Sequence, residues 1–113
     1  MSHYADYLQD VFVELGPVTC RKMFGGYGVY HQGLMFALVA DDVLYLKVDA
    51  DTRPDYEARG LLPFCFEKSG KPVQMSYHQA PEDIFDDPEL AARWGRAAWQ
   101  AARRSKAGKH ACP

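Results

Sequence analysis

The chain has 113 residues, 48% of them hydrophobic and 25% charged, which is enough for one hydrophobic core and too little for two. No apolar run approaches the roughly 20 residues that span a bilayer, and the start MSHYADYLQD lacks the basic and apolar segments of an export signal, so a cytoplasmic protein with no membrane partner is expected. The net charge of −2 is unevenly spread: residues 1–89 carry 15 acidic and 7 basic groups, and residues 90–113 carry 6 basic groups and no acid.

Tyr4, Tyr7, Leu8, Val11, Phe12 and Leu15 recur at three- and four-residue spacing, which predicts an amphipathic helix over residues 3–15. Ser2 is its expected N-cap, and Gly16-Pro17 ends it. A first strand is predicted over Val18–Phe24, a second over Tyr27–His31, a third over Leu34–Ala40 and a fourth over Val43–Val48. Gln32-Gly33 and Asp41-Asp42 between them are two-residue turns and predict antiparallel hairpins. Such loops place Val29 opposite Phe36, Tyr27 opposite Leu38 and Leu38 opposite Tyr45.

That register sorts the side chains onto two faces. Gly28, Tyr30, Met35, Ala37, Val39, Leu44, Leu46 and Val48 form the expected core face. Tyr27, Val29, His31, Phe36, Leu38, Tyr45 and Lys47 form the other. It is aromatic without being purely apolar, and either it stays open as a contact surface or a terminal helix covers it. On the first alternative, Tyr27, Val29, Phe36, Leu38, Tyr45 and Lys47 are the candidate interaction residues, and a homodimer is one use of them.

Asp51 or Thr52 is expected to cap a short helix that ends before Gly60. Phe64–Lys68 and Val73–His78 predict a further hairpin around Ser69–Pro72, with Phe64 opposite Tyr77 and Phe66 opposite Met75. Pro81–Phe85 reads as one helical turn. Asp87-Pro88 opens a last helix to about Arg104, with Trp94 and Trp99 on different sides. One domain over residues 1–104 with a flexible basic tail over 105–113 follows. The fold class is α+β: a two-layer α/β arrangement with an antiparallel sheet built from hairpins, helices at both termini and one between the hairpins.

Few residues invite catalytic chemistry. Gly25-Gly26-Tyr27-Gly28 leads into a strand, whereas a phosphate loop leads into a helix N-terminus, so the glycines predict a bend or bulge. The aspartate pairs fit turn and capping positions. Cys20, Cys65 and Cys112 form no CxxC pair, which argues against a disulfide framework, a structural zinc site or another bound metal, and no cofactor is expected. Cys20 and Cys65 read as packing residues in strands. Cys65 and His78 on one face are the sole basis for a thiol-enzyme alternative. His110 and Cys112 make too weak a pair to hold a metal. A nucleic-acid-binding alternative rests on the basic C-terminal end, with Arg103, Arg104, Lys106 and Lys109 as contacts.

The run Leu15-Gly16-Pro17-Val18-Thr19 followed by Arg21-Lys22-Met23-Phe24-Gly25-Gly26-Tyr27-Gly28 resembles the opening motif of the N-terminal domain of the TfoX/Sxy competence regulators. Met35-Phe36, Ala40-Asp41-Asp42, Leu44-Tyr45-Leu46-Lys47-Val48-Asp49, Lys71-Pro72-Val73, Met75-Ser76-Tyr77 and the closing Trp- and Ala-rich helix extend the resemblance over residues 3–104. It implies a two-layer α/β fold and a regulatory, protein-binding role rather than an enzymatic one. The best-known members act on DNA-uptake genes together with the cyclic-AMP receptor protein and carry a C-terminal domain. The resemblance implies a stand-alone version without that domain, with a protein partner in the transcription machinery and an indirect relation to nucleic acid. No catalytic residue carries over.

Overall fold

The computed structural model describes residues 3–23 and 26–108, the side chains of 3–5, 23, 66–68, 72–74 and 106–108 excepted. Ser2, Phe24, Gly25, Lys109, His110 and Cys112 lie outside the described residues, as do the side chains of Phe66 and Lys106. The elements run α1 (His3–Val11), β1 (Thr19–Met23), β2 (Gly26–His31), β3 (Leu34–Ala40), β4 (Val43–Lys47), α2 (Arg53–Ala58), β5 (Pro63–Lys68), β6 (Lys71–Gln79), a 3₁₀ turn (Glu82–Asp86) and α3 (Pro88–Gly108). The six strands form one antiparallel sheet in the order β1-β2-β3-β4-β6-β5. The α+β fold class expected from the pattern is therefore the observed one.

All three helices lie on the same side of the sheet. Leu8, Val11 and Phe12 of α1, Tyr56 of α2, Ile84 of the 3₁₀ turn and Ala91 and Ala98 of α3 join Val29, Phe36, Ala37, Val39, Leu44, Leu46 and Val48 in one buried cluster. The alanines let α3 approach closely. At Gly95, a Cβ would sit 3.0 Å from the Phe12 ring. Trp94 and Trp99 serve opposite sides of α3, as their spacing predicts. Trp94 packs edge-on to Tyr56 at 4.9 Å, and Trp99 donates its indole N–H to the His31 carbonyl at 2.8 Å.

Helix ends follow local chemistry. The Asp87 carboxylate accepts the Leu90 amide at 3.1 Å and caps α3. α2 differs from expectation. Neither Asp51 nor Thr52 caps it through its side chain; Asp49 accepts the amides of Asp51 and Thr52 instead. Gly16 has φ 130°, and a Cβ there would come within 2.9 Å of the His31 ring. That ring is buried and donates from Nδ1 to the Pro17 carbonyl at 2.7 Å, fixing the turn between α1 and β1.

Two registers depart from the expected ones. Gln32-Gly33 forms the two-residue turn, with both φ positive, and pairs His31 with Leu34 and Tyr30 with Met35. The pairing then shifts, so that Val29 faces Ala37, Gly28 faces Leu38 and Tyr27 faces Val39. Phe36 is the extra residue of a β-bulge. β3 and β4 keep the expected register, with Leu38 opposite Tyr45. In the second hairpin the turn is the two-residue Ser69-Gly70, at φ 55° and 78°, not a four-residue loop. Cys65 therefore faces Gln74 and Phe66 faces Val73.

Candidate interaction face

The bulge exchanges residues between the two faces, because it puts Phe36 and Ala37 on the same side. Val29 and Phe36 are fully buried under the helices, and the Phe36 ring meets Phe12 edge-on at 5.3 Å. These two are corrected from the outer face to the core. Tyr27 is half-buried and packs against the core cluster. Gly28, Tyr30 and Met35, assigned to the core by the unbulged register, turn outward with Leu38, Tyr45 and Lys47. No described helix covers this outer face.

Across the face, the strands bring together residues that no single hairpin contains. Arg21 on β1 holds its guanidinium 5.1 Å from the centre of the Tyr30 ring. Lys47 on β4 holds its ammonium 5.2 Å from the Tyr77 ring on β6. Burial, and then the neighbouring Tyr30, push the Tyr77 phenol up to about 12. Tyr45 lies 5.0 Å from Phe64, ring to ring; its phenol is raised by burial, then by Asp41 and Cys65. Met35, Leu38, Phe64 and Met75 line a shallow cleft of about 30 Å³ between these groups. The sequence pattern missed Arg21, Tyr30, Phe64 and Tyr77 as partners of Leu38, Tyr45 and Lys47. The signal for Tyr30 was present only as a bulge, and the β4–β6 neighbourhood that brings in Phe64 and Tyr77 joins strands far apart in sequence.

The other candidate residues are placed differently. Arg104 donates from Nε to the Asp49 carboxylate at 2.6 Å, tying α3 to the start of α2. Arg103 stacks over Trp99 at 5.3 Å. The hydrogen bond from Arg104 holds the Asp49 carboxyl below its ordinary value, partly opposed by burial and assisted by the Thr52 and Asp51 amides. A carboxylate so depressed stabilises the fold above its unfolded pKa, and this contribution is lost as pH falls through the lower folded value. Arg104→Ala is expected to cost about 0.5–1 kcal/mol near neutrality, since the pair is partly exposed. Urea titrations of the two proteins should converge in stability below the ordinary carboxylate pKa of 3.8.

Cys65 is exposed rather than a packing residue, whereas Cys20 is half-buried against the core. His78 is buried on the helix side, opposite Pro63, and donates from Nδ1 to the Leu61 carbonyl at 2.8 Å. The imidazole Nδ1 on which the thiol-enzyme alternative would draw is thus engaged by the Leu61 carbonyl. Among the described residues no group of three His, Cys, Asp or Glu side chains is placed to hold a metal, and no helix is long and apolar enough to cross a membrane.

An antiparallel sheet with every described helix on one side and an aromatic, cation-bearing surface on the other defines a one-sided α+β domain. The chain belongs to the TfoX N-terminal domain family, whose profile matches residues 10–102. Among its relatives are protein Sxy of Escherichia coli, 22% identical over 90% of this chain and 49% of that protein, and DNA transformation protein TfoX1 of Aliivibrio fischeri, 29% identical over 73% of this chain and 39% of that protein. The chain spans half or less of the length of these relatives.

Proposed function

We propose that this domain is a non-enzymatic, protein-binding module of competence-type regulation, acting in the cytoplasm through the open face of its sheet. The observation that carries the reading is the one-sided architecture. A six-stranded sheet buries one face under three helices and leaves Tyr45, Phe64 and Met75 partly exposed on the other, around a buried Leu38. Apolar and aromatic groups gathered on one surface gain by contact with a partner. Kinship with a protein named for DNA transformation supports a role in the control of DNA uptake.

In the host organism, deleting the gene should lower the transcripts of DNA-uptake genes, and the wild-type chain should restore them. Tyr45→Glu/Met75→Glu should fail to restore them while its circular dichroism and melting remain those of a folded protein. Unchanged transcripts on deletion, or full restoration by the variant, would sink the proposal.

A further inference from the structure

The charges on the open face say what kind of partner it fits, an inference that rests on the interaction reading above. At the described positions that project to this side, the charged residues are Arg21, Lys47 and, toward the tip of the β5–β6 hairpin, Lys71, and none is a carboxylate. The acids with described side chains lie elsewhere: on α1 and in the turn after it, around α2, in the 3₁₀ turn, at the start of α3, and at the Asp41-Asp42 turn at one end of the sheet. Lys47 stands toward the opposite end, paired with Tyr77, and Arg21 stands in the row of Gly28, Leu38 and Tyr45 with its guanidinium over Tyr30. Both cations are held over rings, so little freedom is lost when an anion meets them. Beside the cations lies the cleft of Met35, Leu38, Phe64 and Met75, in which Leu38 is level with Arg21 through Gly28 and Met35 faces Tyr30.

We propose that this face binds an acidic-apolar peptide segment of a partner protein. A Leu, Met or Phe side chain of the segment sits on the Leu38–Met75 cleft, and Asp or Glu residues beside it meet Arg21 and Lys47. Single-stranded nucleic acid fits less well. The Tyr30 and Tyr77 rings that could stack on bases already carry cations. The cleft of about 30 Å³ is far below the roughly 150 Å³ that takes a benzene ring. Residues 1–89, with 15 acids against 7 bases, repel a polyanion. A second copy of the chain also fits poorly, because a symmetric pairing brings both copies of Arg21 and Lys47 onto one apolar patch with no facing carboxylate.

Selection of a random 12-residue display library on the immobilised full chain tests this. Enriched peptides should carry Asp or Glu within three residues of Leu, Met or Phe. A synthetic peptide of the enriched sequence should bind at least tenfold more weakly to Arg21→Glu/Lys47→Glu, and more weakly in 0.5 M salt than in 0.05 M. Lys22→Glu, which makes the same charge change at an exposed β1 position outside this face, should bind as wild type. If the double reversal does not fold, Arg21→Gln/Lys47→Gln replaces it, with a smaller loss in the same direction.

Enriched peptides without acids, no enrichment at all, or equal binding to the charge variants would overturn the proposal. So would oligothymidylate binding that the same variant abolishes, or a concentration-dependent dimer that Tyr45→Glu/Met75→Glu dissolves. Regulation lost in Tyr45→Glu/Met75→Glu without an acidic signature in the peptides would remove the partner chemistry and leave the interaction reading standing. Normal regulation in that variant would remove the interaction reading itself.

Discussion

Phe36→Ala is expected to lower the unfolding free energy by about 3–5 kcal/mol, while Tyr45→Ala, one strand away, costs about 1 kcal/mol. The two aromatics would be equivalent if the sheet followed a regular register, since both would then stand on the outer face. The bulge separates them. Phe36 is fully buried against Phe12, so truncation leaves a cavity between the sheet and α1 that close-packed neighbours fill only in part. Tyr45 is half-buried and touches Phe64 at the surface, so its loss removes mainly that ring pair. Urea denaturation of the two variants checks the ordering. Equal losses, or a larger loss at Tyr45, would mean that Phe36 faces outward and that the candidate face has been drawn on the wrong residues.

That contrast shows what the sequence could reveal. Element order, the antiparallel hairpins and the turns at Gln32-Gly33 and Asp41-Asp42 are local chemistry, and short loops with left-handed residues show them directly. The β3–β4 register follows from the turn alone, and Ala37, Val39, Leu44, Leu46 and Val48 occupy the core side as the alternation requires. A bulge has no such local mark. Nothing in Leu34–Ala40 distinguishes one register from the other until Phe12 of α1 is present to receive the Phe36 ring, and that is a tertiary contact. The second hairpin misleads for a related reason. Pro72 suggests a turn residue, yet it pairs with Glu67 inside the ladder, and the tighter Ser69-Gly70 turn decides the register. The candidate site was half visible. Leu38, Tyr45 and Lys47 follow from one hairpin, whereas Arg21, Tyr30, Phe64 and Tyr77 depend on the bulge and on the strand order.

Gly26→Ala is expected to be at least as damaging as Phe36→Ala, for a steric rather than a hydrophobic reason. A Cβ at Gly26 would lie 1.9 Å from the Val39 carbonyl oxygen, 3.0 Å from its carbonyl carbon and 3.4 Å from the Ala40 Cα. These are backbone atoms of an inner strand, so no rotamer change relieves the overlap, and β2 must move away from β3. The expected cost is 3 kcal/mol or more, with reduced yield of folded protein. Gly33→Ala is the matched comparison. Gly33 has φ 77° with nothing within 4 Å of the added carbon, so the cost there is the left-handed penalty of about 1–2 kcal/mol. The damage at Gly26 also reaches the open face. β1 hydrogen-bonds only to β2 among the described strands, so displacing the start of β2 loosens Arg21 from its place over Tyr30. Amide exchange should therefore show β1 losing protection before β3 and β4, and acidic-peptide binding should weaken in molecules whose core is still folded. Uniform loss of protection across the sheet, or a Gly26→Ala variant as stable as Gly33→Ala, would show that the β2–β3 contact does not hold the cationic edge of the face in position.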